Sequence, residues 1–530
     1  MRNQFIVISV IVISGILLIS YFVTSMLWSF ILVGPLFLIG LNDILQKRQA
    51  IRRNFPLLGN LRYLFESIRP EISQYFIETN SSGVPFSRNA RSLVYQRAKK
   101  ELSTLPFGTQ KDVYDVGYEW VNHSLSPTEV DPKTLRVTIG GPDCKQPYDA
   151  SILNISAMSY GSLSKNAVEA LNSGAKMGGF AHNTGEGGLT QYHLRNNGDI
   201  IWQIGTGYFG ARTHDGDFDP ELFKEKSCHQ NVKMIEIKLS QGAKPGHGGI
   251  LPGEKVNEEI AEIRNVPVGK TVASPPGHSA FSTPLEMMEY IKLLRSLSGG
   301  KPIGIKLCIG KRREFISICK AMILSGIQPD YVDIDGSEGG TGAAPVEYSD
   351  RIGTPLVEAL SFAHNTLVGF NLRDKVKVLC SGKIITAFDL IKNMAIGADA
   401  CYSARGMMMA IGCIQALRCN SNDCPTGVAT QDPQLVKGLD VKYKAKRTAN
   451  FHGATMHGVA EMLGSMGLKS TSELRPWHRM RRTDFTEIKH YGEIYPALKP
   501  GDLLQKELPV GWERAVVAAS ATTFSNVDDD

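Results

Sequence analysis

The segment CIQALRCNSNDCPTG (residues 413–427) carries Cys413, Cys419 and Cys424, with five and then four residues between them. Four-iron clusters take four thiolates and zinc ribbons take paired C-x2-C steps, so this spacing fits neither kind of site. Three thiolates could hold a three-iron cluster. From the spacing alone, buried free cysteines are an equally good interpretation, because cysteine packs as a small hydrophobic residue. The odd total of nine cysteines, the others scattered, favours a reducing compartment.

Several short apolar segments end in glycine or small polar residues, which form a second group of candidate residues. These ends are SYGS (159–162), NTGEGG (183–188), GGTG (339–342) and SGK (381–383). Small residues let backbone N–H groups approach a ligand closely, and we expect a flat cofactor that carries a phosphate. Phosphate commonly binds the loops after the last two strands of a barrel, here 381–383 and 404–406. The alternative is that each glycine only makes a tight turn.

The elements that position these residues are short apolar, β-branched segments, with helical patterns between several of them. The strand-like segments are ILNISAM, GFAHNT, IIWQIGTG, MIEIKLS, IGIKLCI, YVDIDGS, VKVLCSG and ADACYSA. Helical spacing occurs in LSKNAVEALNSGAKM, PLEMMEYIKLLRSL, REFISICKAMILSG and AFDLIKNMAIG. Such alternation indicates an α/β protein with a parallel sheet, and about eight strands over about 260 residues favour a closed (β/α)8 TIM barrel.

The amino-terminal region is strongly apolar. No charged residue occurs from Phe5 to Leu41, which makes about 55 Å of helix against roughly 30 Å of bilayer core. Because Thr24-Ser25-Met26 divides the segment, we expect a transmembrane helical hairpin, with a single tilted span as the alternative. Its length and the lack of a small-residue cleavage site disfavour a signal peptide. Only Arg2 precedes the segment, whereas four basic residues follow it, namely Lys47, Arg48, Arg52 and Arg53. This distribution of positive charge predicts a membrane-anchored protein with a cytoplasmic catalytic domain.

We expect four parts in the chain: a membrane segment (1–42), a small N-terminal covering subdomain (43–150), the barrel (151–465) and a C-terminal extension (466–530). The composition, 42% hydrophobic and 21% charged, is that of a globular protein. A net charge of +6 is too modest to indicate nucleic acid binding. The motif GTGYFG (205–210) matches G-x-G-x-x-G, but an Asp-rich loop follows where a dinucleotide fold needs a helix.

Several segments together resemble one family. The cysteine segment with CPTGVATQDP is similar to the 3Fe-4S segment of the glutamate synthase large subunit. KLSQGAKPGHGGILPGEKV, YVDIDGSEGGTGAAP, ISAMSYGSLS and NTGEGG resemble further segments of that subunit, in the same order and at comparable separations over roughly residues 150 to 465. The chain therefore resembles the FMN-binding synthase domain of glutamate synthase, in the shorter branch that occurs as a stand-alone protein.

The resemblance implies cofactor-binding residues at particular positions. Cys413, Cys419 and Cys424 would hold a 3Fe-4S cluster, and Lys306 would lie near N1 and O2 of FMN, where a cation stabilises the anionic reduced flavin. The other implied FMN contacts are Ala157, Met158, Ser159, Gln203, Gly340, Ser381, Gly382, Lys383, Ala404 and Arg405.

The resemblance also implies catalytic residues. Lys238, Lys244 and Arg264 match basic residues around 2-oxoglutarate, and Arg264 could bind a carboxylate through two parallel hydrogen bonds. Glu186 matches a carboxylate near the point where ammonia arrives, and would take up a proton as the imine forms. For Lys238 and Lys244 the alternative is that they are solvated surface lysines.

The implied reaction is reductive amination of 2-oxoglutarate by ammonia, with hydride from reduced FMN, to give L-glutamate. Because the chain has no recognisable glutaminase domain, we expect free ammonia or a separate glutaminase, and an electron donor such as ferredoxin or an NAD(P)H-oxidising subunit. His247 and Ile250 stand where the family has Glu and Gln, and Trp202 and Tyr208 where it has basic residues, so another 2-oxo acid or an amine-derived imine stays open.

Two other functions stay open. One is an FMN-dependent dehydrogenase of a different small 2-hydroxy or 2-amino acid, which would pass electrons to a membrane or soluble carrier. The other is a non-catalytic electron-transfer subunit, which the basic residues disfavour because a relay needs no anion-binding pocket.

Overall fold

The computed structural model describes residues 1–525, so the last residues of the predicted C-terminal extension lie outside the described part. The chain divides into two compact units, residues 1–88 and a second unit that begins at Asn89. The domain boundaries expected after residues 42, 150 and 465 stay predictions.

The first unit starts with two apolar helices, Arg2–Ser20 and Phe30–Leu45, joined through a 3-10 turn at Thr24–Ser29. The ring of Phe5 stacks on Phe37 at 6.4 Å between centroids, so the start of the first helix lies beside the end of the second. The division of the apolar segment expected at Thr24-Ser25-Met26 therefore produces an antiparallel hairpin. Arg2–Ser20 and Thr24–Leu45, the second helix together with the 3-10 turn, are long and apolar enough to be candidate membrane spans; their insertion into a bilayer stays a prediction.

Two further helices complete the first unit: Ala50–Asn54 and Leu58–Ile72, the second running on into a π-helical turn at Ser73–Ile77. The buried carboxylate of Asp43 accepts hydrogen bonds from the backbone N–H of Leu57 and from the side chain of Asn60. This carboxylate fixes the start of the long helix against the end of the hairpin.

The second unit is built on a closed barrel of eight parallel strands. The first strand pairs with the eighth, Leu153 lying opposite Cys401, and this pairing closes the barrel. All eight strand-like segments found in the sequence contribute one strand each, so the predicted (β/α)8 fold is confirmed. The strands are Leu153–Ile155, His182–Asn183, Ile200–Ile204, Val232–Lys238, Ile303–Leu307, Tyr331–Asp335, Lys377–Ser381 and Ala400–Ser403.

Helices alternate with these strands, and local signals in the sequence set their ends. The helix Pro284–Leu297, for example, begins with a proline after Thr283, whose side chain caps it in a box with Glu286. The main helices of the unit, the first of which begins at the boundary residue Arg88, are Arg88–Lys99, Lys165–Gly178, Gln191–Leu194, Pro220–Ser227, Glu258–Arg264, Pro284–Leu297, Arg312–Ser325, Val346–Arg351, Leu356–Gly369, Ala387–Met394, Arg405–Ile411, Pro433–Lys437, Val441–Ser465, Tyr491–Ile494 and Glu513–Ala518.

An antiparallel hairpin, Arg136–Ile139 with Tyr148–Ser151, closes the amino-terminal end of the barrel. Its apolar side chains share one buried cluster with residues near the beginnings of several barrel strands, including Ile201 and Tyr331. Because this end is filled, a ligand has to enter at the carboxyl end of the strands, where the active sites of such barrels lie.

Candidate active site

A layer of polar side chains lies in the barrel above the apolar cluster. Side chains alternate along a strand, so residues two apart point to the same side, and six inward positions here are polar. Glu236 accepts hydrogen bonds from the amides of Asn183 and Gln203, each at 2.7 Å. The six side chains of this polar layer, all buried, are Asn183, Gln203, Glu236, Lys306, Asp333 and Ser381.

Lys306 is the cation of the polar layer. Its Nζ lies 3.3 Å from Oδ2 of Asp333 and 3.5 Å from Oδ2 of Asp335, and Ser381 donates to Asp335 at 2.7 Å. Burial opposes the charge, but Asp335 and Asp333 outweigh it and raise the pKa of Lys306 above its usual value. Burial in turn raises the pKa of the carboxyl groups of Asp333 and Glu236, which Lys306 offsets only in part.

Nearer the mouth of the barrel, Glu186 forms a largely buried ion pair with Lys238, 2.8 Å from Oε1 to Nζ. Two glycines make room for the carboxylate. A Cβ at Gly249 would lie 2.3 Å from Oε1 of Glu186, and one at Gly205 would lie 2.7 Å from its Cβ. Burial opposes ionisation of Glu186, but Lys238 and the cations beyond it outweigh burial and lower its pKa. The carboxylate is therefore ionised at neutral pH.

Lys244 and Arg264 complete this cluster, with side chains that belong to residues only 2% and 4% exposed. Burial, with some repulsion from Lys238, lowers the pKa of Lys244 to about 8, and burial lowers that of Arg264 to about 10. Lys238 is also buried, so neither lysine is a solvated surface residue. We call Glu186, Lys238, Lys244 and Arg264 the mouth cluster; their roles stay predictions.

Arg264 is held in place but has hydrogen-bonding capacity left. Its Nη2 donates to the carbonyl oxygen of Tyr160 at 2.9 Å, and its guanidinium lies over the ring of Phe209. The Nε is buried and meets no acceptor within residues 1–525. This Nε is therefore free to donate a hydrogen bond to a ligand.

The residues expected around FMN lie at carboxyl ends of barrel strands. Ala157, Met158 and Ser159 follow the first strand, and a Cβ at Gly185 would lie 2.6 Å from the Ser159 nitrogen. Lys383, exposed and with a left-handed φ of 49°, follows Ser381 and Gly382 after the seventh strand.

A second contact joins loops after the sixth and eighth strands. Arg405 follows Ala404 directly after the eighth strand, and its Nη2 donates to the carbonyl oxygen of Glu338 at 3.0 Å. A Cβ at Gly340 would lie 2.9 Å from Nη1 of Arg405, so the absence of a side chain at Gly340 leaves room for this guanidinium.

The three clustered cysteines lie on the irregular segment after the helix Arg405–Ile411. Burial raises the pKa of Cys413 to about 11, whereas hydrogen bonds, first that of Thr426, outweigh burial and lower the pKa of Cys424. Within the described residues, no three His, Cys, Asp or Glu side chains meet closely enough to hold a single metal ion. A multi-iron cluster spreads its thiolates over different irons, so the cluster stays a prediction.

Lys255 ties this segment to the barrel, and sequence reasoning missed it. Its buried Nζ donates to the carbonyl oxygens of Cys419 at 2.7 Å and Ala429 at 2.8 Å. These contacts span more than 150 residues of chain, so no local signal could have identified them. Asp333 and Asp335 were also missed, although acidic residues two apart in the buried strand YVDIDGS do signal inward charges.

Trp202 and Tyr208, two of the positions at which the sequence departs from the family pattern, lie on different sides of the barrel wall. Trp202 is fully buried and stacks on Phe223 of a surrounding helix, 5.2 Å between centroids, so it points away from the barrel interior. The hydroxyl of Tyr208 accepts a hydrogen bond from the N–H of Ala280 and lies 3.1 Å from His278, which itself contacts the backbone oxygen of Lys238. Of these two, only Tyr208 is linked to the mouth cluster, through His278.

Comparison with known proteins shows the family of this chain. A sequence model described as a conserved region in glutamate synthase matches residues 137–469. The glutamate synthase large subunit-like protein YerD of Bacillus subtilis is 38% identical over 84% of this chain and 92% of its own length. The archaeal-type glutamate synthase [NADPH] of Thermotoga neapolitana is 36% identical over 60% of each chain, and the archaeal glutamate synthase [NADPH] of Methanocaldococcus jannaschii is 36% identical over 68% of this chain and 66% of its own. The match therefore spans less than two thirds of the length of the last two relatives. On the family model and the similarity to YerD, this chain belongs to the glutamate synthase family of oxidoreductases.

Proposed function

We propose that this protein is an FMN and iron–sulfur oxidoreductase that reductively aminates 2-oxoglutarate, or a related 2-oxo acid, to L-glutamate. The observation that carries this proposal is the mouth cluster. It combines three basic side chains with one carboxylate, a net charge of +2 when all are charged, in a buried site at the carboxyl end of the barrel. This charge is complementary to a dicarboxylate substrate.

Arg264 and Lys244 would bind the substrate. The unpartnered Nε of Arg264 suits one carboxylate through two parallel hydrogen bonds. Lys244, which burial and Lys238 bring to a pKa of about 8, gains from a nearby anion because the anion restores its preference for the charged form.

Glu186 would accept a proton and return it during imine formation. Ionised beside Lys238, it can take a proton from the nitrogen as ammonia adds to the carbonyl carbon. The same proton can return to the oxygen that leaves as water when the imine forms. Overall, 2-oxoglutarate, ammonia, a hydride and two protons give the glutamate monoanion and water.

The residues below the mouth fit FMN. Lys306 is a buried cation suited to the pyrimidine edge of a flavin, Gln203 lies in the same layer, and the close approach of Gly340 to Arg405 offers a small-residue cradle beside a cation. When bound, FMN would supply the hydride that reduces the imine carbon.

Electrons and ammonia would come from outside this chain. Cys413, Cys419 and Cys424 would hold a 3Fe-4S cluster that receives electrons from a ferredoxin or an NAD(P)H-oxidising subunit. The names of the archaeal-type relatives, which include NADPH, support a pyridine nucleotide as the source in those proteins. Ammonia would arrive free or from a separate glutaminase.

The test is single-turnover reoxidation of the reduced flavin. The anaerobic holoprotein is reduced, and the flavin spectrum is followed after 2-oxoglutarate and ammonium are added together, with pyruvate and oxaloacetate as competing substrates. We expect rapid reoxidation with one glutamate formed per flavin. If no 2-oxo acid reoxidises the reduced flavin, the proposal is refuted. If a 2-hydroxy or 2-amino acid reduces the oxidised flavin, the dehydrogenase alternative replaces it.

Glu186→Gln tests the proton role separately. The substitution keeps the shape of the side chain but removes the base, so we expect the reoxidation rate to fall by about 10²- to 10⁴-fold with an unchanged flavin spectrum. Glu169→Gln is the matched control, since Glu169 pairs with Arg195 in an ion pair on the surface of the second unit. Equal rates in the two variants would exclude Glu186 from the reaction.

We further propose that the helical hairpin anchors the protein in a membrane with the barrel in the cytoplasm. The two apolar arms and the basic residues after Leu45 support this placement. Alkaline carbonate extraction of membranes tests it: the full chain should stay in the pellet, and a chain that begins at residue 46 should move to the supernatant. Full-length protein in the supernatant would contradict anchoring.

A further inference from the structure

The helix Leu58–Ile72 of the first unit has an exposed apolar face. Its apolar residues recur every three or four positions, which puts them on one side of a helix. The exposed fractions are 49% for Leu61, 53% for Leu64 and 59% for Phe65. The following turn extends this surface with Tyr75, Phe76 and Ile77, which are 57%, 84% and 70% exposed. The apolar face consists of Leu58, Leu61, Leu64, Phe65, Ile68, Ile72, Tyr75, Phe76 and Ile77.

The other side of the same helix packs within the unit. A Cβ at Gly59 would lie 2.8 Å from Cα of Arg52, so the two helices meet backbone to backbone there. Asn60 donates to the buried carboxylate of Asp43, and the guanidinium of Arg52 lies 4.5 Å from the ring centroid of Tyr63. This arrangement reverses that of an ordinary surface helix, which buries its apolar side.

The charges of the surrounding segment are mostly positive. Residues 46–77 contain six basic and two acidic side chains, and one of the acidic ones, Glu66, pairs with Arg62 on the polar side of the helix at 2.9 Å. An apolar helix face combined with basic side chains is the pattern of helices that lie in a bilayer interface and attract anionic headgroups. The basic side chains are Lys47, Arg48, Arg52, Arg53, Arg62 and Arg69.

We propose that the segment 47–77 lies on the membrane surface, with the apolar face of Leu58–Ile77 among the upper acyl chains and its basic side chains at anionic lipid headgroups. Continuity supports a bilayer as the partner, because the apolar hairpin ends at Leu45, only a short connection before this helix. The proposal rests on the membrane anchoring proposed above. It adds a second, peripheral contact that anchoring alone does not require.

The test uses the full chain in lipid nanodiscs that contain phosphatidylglycerol and phosphatidylcholine. A photoreactive diazirine amino acid replaces Phe65 on the apolar face or, as matched control, the neighbouring Glu66, which points to the polar side. The same probe at Ile11 reports insertion of the hairpin. We expect lipid adducts at Phe65 in at least tenfold excess over Glu66, and a probe at Leu61 to repeat the Phe65 result.

The outcomes separate this inference from anchoring. Lipid adducts at Ile11 with none at Phe65 and Leu61 would overturn the inference and keep the anchor. Adducts of Phe65 with another polypeptide in native membranes, or with residues of this same chain, would also overturn it, since the face would then have a protein partner. Lipid adducts at Phe65 without any at Ile11 would support the surface contact and refute the anchor.

A second arm tests the headgroup charge. In nanodiscs of phosphatidylcholine alone, we expect the yield at Phe65 to fall at least threefold while the yield at Ile11 stays constant, because only the peripheral helix depends on anionic lipid. Equal yields at Phe65 in both lipid mixtures would refute the role of the basic residues.

Discussion

Replacement of Lys306 by methionine should destabilise the protein through the carboxyl groups it leaves behind. Lys306 is 4% exposed and lies 3.3 Å and 3.5 Å from the carboxylates of Asp333 and Asp335, with Glu236 contributing to the same charge balance. Removing one partner of a buried ion pair costs about 3–5 kcal/mol, because a desolvated charge stays uncompensated. That is a large part of the about 5–15 kcal/mol by which a typical domain is stable.

The assay is urea unfolding of the flavin-free protein, so that loss of cofactor binding does not enter. Lys301→Met is the matched control: Lys301 is equally buried, but its Nζ donates to the carbonyl oxygens of Ser227 and His229, and no carboxylate is left behind. Leaving those carbonyl groups unpaired should cost about 1–3 kcal/mol.

Two further measurements identify the cause. Asp333→Asn in the Lys306→Met background should restore at least about 1 kcal/mol, because it removes one of the uncompensated carboxylates. The pKa of Asp333 is already raised by burial, and its neutral form becomes more populated as the pH falls. The deficit of Lys306→Met should therefore shrink between pH 8 and pH 6. A pH-independent deficit no larger than that of Lys301→Met, with no rescue by Asp333→Asn, would refute this account of the polar layer.

The mouth cluster and the cysteines allow three further predictions. Because the pKa of Lys244 is about 8, the KM for 2-oxoglutarate should rise as the pH increases from 7 to 9, and Lys244→Gln should raise the KM and remove that pH dependence in steady-state assays. Gly249→Ala would bring a Cβ to 2.3 Å from Glu186 and should lower kcat at least about tenfold, whereas Gly277→Ala, with nothing within 4 Å, should not. Cys424→Ser should lower the iron bound per chain and abolish the low-temperature electron paramagnetic resonance signal of an oxidised cluster; unchanged iron would remove Cys424 from the ligand set.

The fold could be predicted from sequence because parallel barrel strands are buried on both sides and are apolar along most of their length. The segment MIEIKLS illustrates this: Val232–Lys238 is a strand, and Glu236 and Lys238 are its polar inward positions. The break at Thr24–Met26 likewise predicted the two helices of the hairpin.

The polar layer could not be predicted in the same way, because closing the barrel brings together residues that are far apart in the chain. Glu236 meets Asn183, 53 residues earlier, and Lys255 meets Cys419, 164 residues later. The sequence pattern also did not reveal which face of a strand Trp202 occupies, since both faces of its strand are buried.

The polar layer and the mouth cluster differ in which elements carry their charged residues, strands or loops. This difference bears on substrate specificity. Glu236 and Lys238 lie two residues apart on one strand, so a mainly acidic layer and a basic mouth are set about 7 Å apart by rigid backbone. Lys244 lies in a turn after that strand and Arg264 at the end of a short helix, so both can be repositioned without altering the barrel. Changes of 2-oxo acid within the family should therefore arise in the loops that carry Lys244 and Arg264, whereas Lys306 and its carboxylates, fixed by the strands, should serve the same redox chemistry whatever the substrate.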